Sequence, residues 1–220
     1  MDSLIPRIYA LLLDTYGPQG WWPVGGSYFP KHHDPFEVTV GAILTQNTSW
    51  KNASMAVEEL RNREMLSVNA ILNTGMEKLA AAVRCSGYYN QKADRLKRVC
   101  QFLHDAAGKI PTREELLAIK GIGPETADSI LLYAYHIPIF VIDAYTRRVF
   151  SRIAVICGHM SYDELQGLFM QHLPVDVKLF NEYHALIVRH AKDVCGKKPQ
   201  CGLCMLAQLG LCAHGRIGSG

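Results

Sequence analysis

Apolar residues recur at intervals of three and four along almost the whole of this 220-residue chain. That interval places side chains on one face of an α-helix, whereas a half-buried strand would alternate apolar and polar residues. No turn dipeptide typical of a β-hairpin lies between alternating runs. The pattern therefore predicts an all-α fold built from short helices.

The apolar stripes, with breaks at glycine and proline, give the bounds of the predicted helices. Helices are expected from Leu4 to before Gly17, over 36–46, 50–61, 67–73, 76–84, 90–106 and 112–118, from Pro124 onwards, and over 144–155, 162–172 and 176–191. Two of them begin with a capping box, Thr112 with Glu115 and Ser161 with Glu164. The segment 21–35 is expected to be a loop, and the last four residues a flexible tail.

Composition narrows the class of protein. With 49% hydrophobic and 20% charged residues, the chain can bury a core, so disorder is excluded. No apolar run reaches the ~20 residues of a membrane-spanning helix, and the N-terminus lacks the features of a signal peptide. We therefore expect a cytoplasmic protein. The net charge of +3 permits a nucleic-acid partner but is too small to indicate one.

Four of the seven cysteines lie close together near the C-terminus. They are Cys195, Cys201, Cys204 and Cys212, spaced C-x5-C-x2-C-x7-C. In a chain without an export signal this pattern favours a metal site over disulfides. Four thiolates can bind an iron–sulfur cluster or a tetrahedral zinc ion, and the residues themselves leave both open.

A short glycine turn, Gly121-Ile122-Gly123, connects two predicted helices. Glycines allow a tight turn and a close approach of the backbone to a ligand. The next helix begins at Pro124, so its first N–H groups could hold a phosphate. The turn is thus a candidate clamp for the DNA backbone, while an ordinary αα-hairpin explains it equally well.

Asp143 follows four apolar residues and begins another predicted helix. Asp is common at the N-cap, which is a sufficient structural reason for its presence. A capping carboxylate is also held in a fixed position at the mouth of the helix. Asp143 could therefore serve both as a cap and as a reactive group.

Four segments, taken in order, resemble the helix-hairpin-helix DNA glycosylase superfamily. They are 44–48, 86–93, the hairpin together with Asp143, and the cysteine loop, and the similarity spans roughly residues 36–212. The resemblance is to the endonuclease III-like branch that carries an iron–sulfur cluster. Within this branch the chain is most similar to the MagIII-type 3-methyladenine DNA glycosylases, although the best-known of those lacks the four cysteines.

The resemblance implies two helical lobes with the active site in the cleft between them. A six-helix barrel with the helix-hairpin-helix is expected over 28–138, and a cluster-containing lobe over 1–27 and 139–220. The expected partner is double-stranded DNA containing a damaged base, which must leave the stack before any enzyme group can reach its glycosidic bond. The expected cofactor is a [4Fe-4S] cluster on the four cysteines, with zinc as the alternative. No feature indicates an oligomer, so we expect a monomer.

Two positions refine the expected activity. Bifunctional endonuclease III enzymes have a Schiff-base lysine two residues after the second hairpin glycine, where this chain has Glu125. A carboxylate cannot form an imine, so the resemblance implies a glycosylase without lyase activity. The adenine-mismatch branch requires a glutamate where this chain has Gly41, which disfavours that branch.

Asp143 is the expected catalytic residue, because a fixed negative charge would stabilise the cationic sugar that forms as the bond breaks. The expected base pocket consists of Trp21, Trp22, Pro23, Trp50 and Glu125. A cationic alkylated base stacked on tryptophan gains about 0.5–2 kcal/mol over a neutral base. Packing in the core is the alternative role for the tryptophans, and Glu125 also suits the first turn of a helix.

The expected DNA-binding residues lie in several segments of the chain. Gln46 matches the residue that fills the gap left by the extruded nucleotide, and Tyr88 matches a wedge against the opposite strand. The others are Asn90, Lys92, Lys120, Gly121, Gly123, Arg148, Lys197 and Lys198. As alternatives, Gln46 could be a polar helix end, Tyr88 an exposed aromatic residue, and the two lysines of the cysteine loop solvated charges.

The predicted function is a monofunctional DNA base-excision repair glycosylase for alkylated purines of the 3-methyladenine type. A mismatch thymine/uracil DNA glycosylase is the alternative within the same class of enzyme. A non-catalytic DNA-structure binding protein is the alternative outside it.

Overall fold

The computed structural model describes residues 4–24, 34–156 and 159–214, and these residues form α-helices and no β-strand. The all-α prediction is confirmed. The helices are α1 (Leu4–Tyr16), α2 (Pro35–Leu44), α3 (Trp50–Asn62), α4 (Val68–Asn73), α5 (Met76–Ala82), α6 (Tyr89–Asp105), α7 (Arg113–Ala118), α8 (Pro124–Ser129), α9 (Ala144–Arg152), α10 (Tyr162–His172), α11 (Val177–Asp193) and α12 (Met205–Gln208). Most of the predicted loop over 21–35 and the C-terminal tail lie outside the described residues.

Local side chains explain where several helices begin. Both predicted capping boxes are present, at the starts of α7 and α10. Asp34, Ser49 and Asp176 accept hydrogen bonds from backbone N–H groups in the first turns of α2, α3 and α11. These side chains satisfy donors that have no partner inside the helix.

One helix was only partly visible in the sequence. After α8 the chain continues as a π-turn over Ile130–Ala134, and all five of these residues are buried. Because apolar residues cover every side of the turn, no amphipathic stripe marks it. Periodicity likewise gave no sign of α12 or of the short 3₁₀ turns at Arg84–Ser86 and Cys201–Leu203.

The chain divides into two compact units, one made of residues 1–21 with 138–220 and the other of residues 22–137. In the first unit, Phe140 stacks on Phe169 with ring centroids 4.3 Å apart and meets Phe180 and Tyr183 edge-on. Tyr183 donates a hydrogen bond to the carbonyl of Ile5 over 2.7 Å, which fastens α1 to α11. This aromatic core fixes α11 beside the start of α9.

The second unit is built around α2. Eight of the ten residues of α2 are buried, from Glu37 to Leu44. A helix that is apolar on nearly all sides belongs in the centre of a bundle, and α3, α6 and the π-turn pack against it. The buried carboxylate of Glu37 pairs with Arg61 of α3 at 2.5 Å. The assignment of the two units to a barrel lobe and a cluster lobe stays a prediction.

None of the described helices combines the length and the hydropathy needed to cross a bilayer.

Replacing Phe140 tests the aromatic core of the first unit. Phe140 is fully buried, so Phe140→Ala removes ring contacts and leaves a cavity. We expect a loss of about 3–5 kcal/mol in the free energy of unfolding, measured by urea denaturation. Phe140→Leu is the control and should cost less. A change below about 1 kcal/mol for the alanine variant would contradict the role assigned to this ring.

Candidate active site

Asp143 is the N-cap of α9, as the sequence predicted, and its carboxylate is held in place. Oδ1 accepts two hydrogen bonds from Thr146, from the backbone N–H at 2.7 Å and from the hydroxyl at 2.8 Å. The side chain of Asp143 is only 9% exposed. One carboxylate oxygen is therefore fixed by the first turn of the helix that Asp143 begins.

His184 of α11 approaches the other oxygen of the same carboxylate. Its Nε2 lies 3.4 Å from Asp143 Oδ2, close enough for an ion pair when the imidazole is protonated. Trp21 meets the imidazole edge-on, with ring centroids 5.8 Å apart. The sequence alone did not identify His184 as a site residue. The sequence feature that could have identified it is a single histidine within the apolar run 183–188. All six residues of this run are buried.

The surroundings of Asp143 determine its charge. Burial alone would raise the pKa of this carboxyl group, but the hydrogen bond and charge of His184 and the hydrogen bonds from Thr146 outweigh it. The net effect lowers the pKa of Asp143 below its ordinary value. The carboxylate is thus ionised at neutral pH, in a low-dielectric setting that strengthens its action on a nearby positive charge.

The glycine hairpin uses its two glycines differently. Gly121 has a φ of +96°, and a Cβ there would lie 2.7 Å from Arg95 Nε. The fold therefore requires glycine at this position. Gly123 is the N-cap of α8 with a φ of −98°, and a Cβ built on it meets no described atom within 4 Å. Lys120 and Glu125, on either side of the turn, are exposed.

Two of the tryptophans pack together in the second unit. Trp22 is buried, meets Trp50 edge-on at 5.0 Å, and lies 5.0 Å from Tyr133. Gly41 makes room for them, since a Cβ there would lie 3.2 Å from Trp22 Nε1 and 3.4 Å from Trp50 Cζ3. Trp22 thus fits the packing alternative, and Pro23 is buried as well. Trp50 is half-buried and can still offer ring surface to a ligand.

Several residues expected to contact DNA lie on the surface, namely Tyr88, Asn90, Lys120, Lys197 and Lys198. Tyr88 stands out because its side chain is 63% exposed and its φ is +46°. A left-handed backbone is uncommon for a bulky residue and is often found where function needs it. Tyr88 is the N-cap of α6, so its exposed ring lies at the start of that helix.

The DNA contact expected of Lys92 is not possible in this structure. Lys92 is fully buried, and its ammonium donates to the carbonyls of Leu44 at 2.8 Å and Ser86 at 2.5 Å. Burial, and next the positive charge of Arg95, lowers the pKa of Lys92 to about 8. An enclosed ammonium with two protein acceptors does not reach a phosphate in this structure.

Arg148, another residue expected to contact DNA, has hydrogen-bond partners inside the protein. Its guanidinium donates to the carbonyls of Ala191 and Cys195, each at 2.9 Å, and lies over the ring of Tyr145. A positive charge at the C-terminal end of α11 is favourable because of the helix dipole. Arg148 therefore ties α9 to the end of α11, which is an internal role.

Gln46 is held by protein groups on both sides of its amide. Its Nε2 donates to the Gly121 carbonyl at 3.1 Å and to Thr126 Oγ1 at 2.9 Å, while its Oε1 accepts from Arg95. The side chain is half-buried and connects the end of α2 to the glycine hairpin.

All four clustered cysteines line one shared pocket in the first unit. Arg152 donates to Cys195 Sγ at 3.2 Å, and His190 Nε2 lies 3.8 Å from Cys204 Sγ. Among the described residues, no three Cys, His, Asp or Glu side chains come close enough together to hold a single metal ion. Burial raises the pKa of the Cys204 thiol, and backbone hydrogen bonds only partly oppose this.

A family model describes the chain. The HhH-GPD superfamily of base excision DNA repair proteins matches residues 40–174, which is more than half of the sequence. The chain belongs to this superfamily, and it is a DNA N-glycosylase. The superfamily predicted from the four sequence segments is confirmed.

Individual relatives agree with this assignment. A Methanocaldococcus jannaschii protein named as a candidate DNA repair glycosylase is 45% identical over 94% of this chain and 95% of its own length. The structure of H. pylori 3-methyladenine DNA glycosylase (MagIII) bound to 1,N6-ethenoadenine is 30% identical, with a TM-score of 0.71 over 86% of this chain and 95% of that chain. A trapped endonuclease III–DNA covalent intermediate matches at a TM-score of 0.84 over 99% of this chain and 98% of that chain, and at 21% identity it shows likeness of fold.

The two hairpin glycines provide a matched pair of variants. Gly121→Ala forces a side chain into a left-handed backbone and against Arg95, so we expect about 1–3 kcal/mol of destabilisation by urea denaturation. Gly123→Ala should cost less, at most about 1 kcal/mol, because its backbone and its surroundings accept a Cβ and only the weaker N-cap preference of alanine opposes the change. Equal losses at the two positions would contradict this distinction.

Proposed function

We propose that this glycosylase hydrolyses the N-glycosidic bond of alkylated purines of the 3-methyladenine type in duplex DNA, without lyase activity. The observation that carries the proposal is the buried, ionised carboxylate of Asp143, with one oxygen held by Thr146 and the other near His184. The choice of substrate is supported by the 30% identity to the 3-methyladenine DNA glycosylase.

The chemistry of the lesion explains why one carboxylate suffices. Alkylation at a ring nitrogen gives the purine a positive charge, so the base can leave with the electron pair of the C1′–N bond without first being protonated. The sugar becomes cationic as that bond breaks, and the fixed charge of Asp143 stabilises it. Water then adds to C1′ and loses a proton to solvent, which completes the hydrolysis.

The absence of lyase activity follows from Glu125 in the proposed mechanism. Glu125 lies exposed in the first turn of α8. Its side chain ends in a carboxylate and not in an amine, so it cannot form an imine at C1′. Lys120 is exposed on the other side of the hairpin, five positions earlier in the chain. Strand cleavage without hot alkali would show that an amine takes part, and would overturn this part of the proposal.

In the proposed mechanism, an aromatic side chain selects the damaged base. Trp50 is the leading candidate because it is half-buried, whereas Trp22 is enclosed by Trp50 and Tyr133. A cationic base stacked on its indole gains attraction that a neutral base lacks. This preference adds to the intrinsic ease with which a cationic base leaves.

Asp143→Asn tests the catalytic proposal. The amide oxygen can still accept from Thr146, so the cap is largely kept, but the negative charge is lost. We expect the single-turnover rate of 3-methyladenine release to fall by about 100-fold or more, with binding to the same duplex retained. Thr146→Ser keeps both donors to Oδ1 and serves as the control, with a much smaller loss.

The same assay separates the alternatives. Release of thymine or uracil from G·T or G·U duplexes, with no release of 3-methyladenine, would assign the chain to the mismatch alternative. If no base is released from any duplex in the panel and Asp143→Asn binds DNA like the wild type, the non-catalytic alternative is correct.

We further propose that the cysteine loop holds a [4Fe-4S] cluster. The four cysteines line one shared pocket and supply one thiolate for each iron of such a cluster, and a zinc ion with four thiolate ligands is the alternative. The cluster, when bound, would supply a structural crosslink. Lys197 and Lys198, both exposed on the cysteine loop, would then be presented to a DNA phosphate.

A hydrogen-bonded chain towards Cys204 gives a test of the cofactor. Tyr16 Oη lies 2.9 Å from His190 Nδ1, and the opposite ring nitrogen of His190 faces Cys204 Sγ. Tyr16→Phe removes the hydroxyl that orients the imidazole, and we expect the visible absorbance to disappear about tenfold faster when a chelator is added.

Tyr9→Phe, on the same helix but packed against Tyr183, is the control and should behave as the wild type. Iron and sulfide analysis of the purified protein decides the cofactor itself. A colourless protein containing zinc would refute the cluster.

A further inference from the structure

Three loops of the second unit carry several of the residues expected to meet DNA. The α2–α3 loop (45–49) contains Gln46, the α5–α6 loop (83–88) ends in Tyr88, and the α7–α8 loop (119–123) is the glycine hairpin. All three meet side chains from the first turns of α6. Lys92 and Arg95 are three residues apart on this helix and therefore share one face.

Lys92 connects the first two loops. Its ammonium donates to the carbonyl of Leu44, the last residue of α2, and to the carbonyl of Ser86, two residues before Tyr88. Both carbonyls lie at ends of helical segments, where they have no partner within the helix. A single enclosed cation thus fixes where the α2–α3 loop begins and where the strained Tyr88 backbone starts.

Arg95 connects the first loop to the third. Its guanidinium donates to Gln46 Oε1, and the amide of Gln46 donates in turn to the Gly121 carbonyl and to Thr126 Oγ1. The aliphatic part of Arg95 packs against Gly121 so closely that a Cβ would lie 2.9 Å from its Cγ. The hairpin turn therefore rests directly on the side chain of Arg95.

We propose that Lys92 and Arg95 are positioning residues that hold these three DNA-contacting loops in one arrangement before DNA binds. The inference rests on the proposed function for the role of the loops, and it replaces the direct phosphate contact expected of Lys92. Loops that are already ordered lose less conformational freedom on binding, so the network contributes to affinity without touching the nucleic acid.

The network also fixes the position of the Gln46 side chain before DNA binds. Its amide has protein partners at both ends, so the side chain can enter the gap left by an extruded nucleotide only by exchanging Arg95, Gly121 and Thr126 for DNA. Weakening these contacts should therefore affect insertion as well as the order of the loops.

The test uses a duplex with a tetrahydrofuran abasic-site analogue, which no glycosylase can cleave, and measures its dissociation constant over a series of salt concentrations. Lys92→Met keeps the length of the side chain but removes the cation. Lys120→Met is the matched control, since Lys120 is an exposed lysine of the hairpin. Urea denaturation establishes that each variant is folded.

Positioning and direct contact have different salt signatures. A lysine that pairs with a phosphate contributes about 0.9 to the slope of log affinity against log salt. We expect Lys120→Met to lower the slope by about that amount. Lys92→Met should weaken binding about tenfold at every salt concentration and leave the slope unchanged.

A drop in slope for Lys92→Met would show a direct phosphate contact and overturn the proposal. Unchanged affinity in a folded variant would show that Lys92 supports stability alone, and would overturn it too. If Lys92→Met does not fold, Thr126→Val tests the Gln46 side of the network, because Thr126 is buried and the change alters no charge. That variant should also weaken binding with an unchanged slope, and wild-type affinity would refute the network.

The binding assay separates this inference from the proposed function. If the wild type does not prefer the abasic duplex over undamaged DNA of the same sequence, the proposed function fails, whatever the variants do. If the wild type does prefer it and both folded variants match the wild type, only the positioning inference fails.

Discussion

Asp143 has to remain charged although it is almost completely enclosed, and this requirement organises the first unit. A buried carboxylate is costly unless donors compensate for the water it has lost. Thr146 supplies two donors because it lies in the first turn of the helix that Asp143 begins, and His184 approaches from α11. The aromatic residues on the buried face of α11 hold that helix in place. Core packing and the reactivity of the carboxylate are thus parts of one arrangement.

The same helix also serves the cysteine cavity within this unit. His190, six residues after His184, faces Cys204 and forms a hydrogen bond with Tyr16 of α1. Burial lowers the pKa of His190 to about 4, so the imidazole is neutral at physiological pH. Arg148 then joins the C-terminal end of α11 to α9, the helix that Asp143 caps. Helix α11 thus carries one side chain that faces the carboxylate of Asp143 and another that faces the cysteine loop.

The sequence predicted most of the helices, both capping boxes, the Asp143 cap and the Gly121 turn, because these depend on local spacing and local backbone geometry. The sequence did not predict the direction of the Lys92 side chain. Lys92 looked like a surface cation, but whether a long side chain points outwards or inwards depends on which carbonyls the tertiary fold places beside it. The role of His184 could not be recognised from the sequence, because it depends on the contact with Asp143, which lies 41 positions earlier in the chain. The roles of the remaining site residues stay predictions.

Gly41 sets how closely two aromatic rings approach the central helix of the second unit. The branch of the superfamily that acts on mismatched adenine requires a glutamate at this position, yet here even a methyl group would lie 3.2 Å from Trp22 Nε1, which is tighter than most such contacts. A larger side chain would fit only if the neighbouring indoles shifted. Any exchange at position 41 therefore changes the packing of these rings together with the chemical group on the helix.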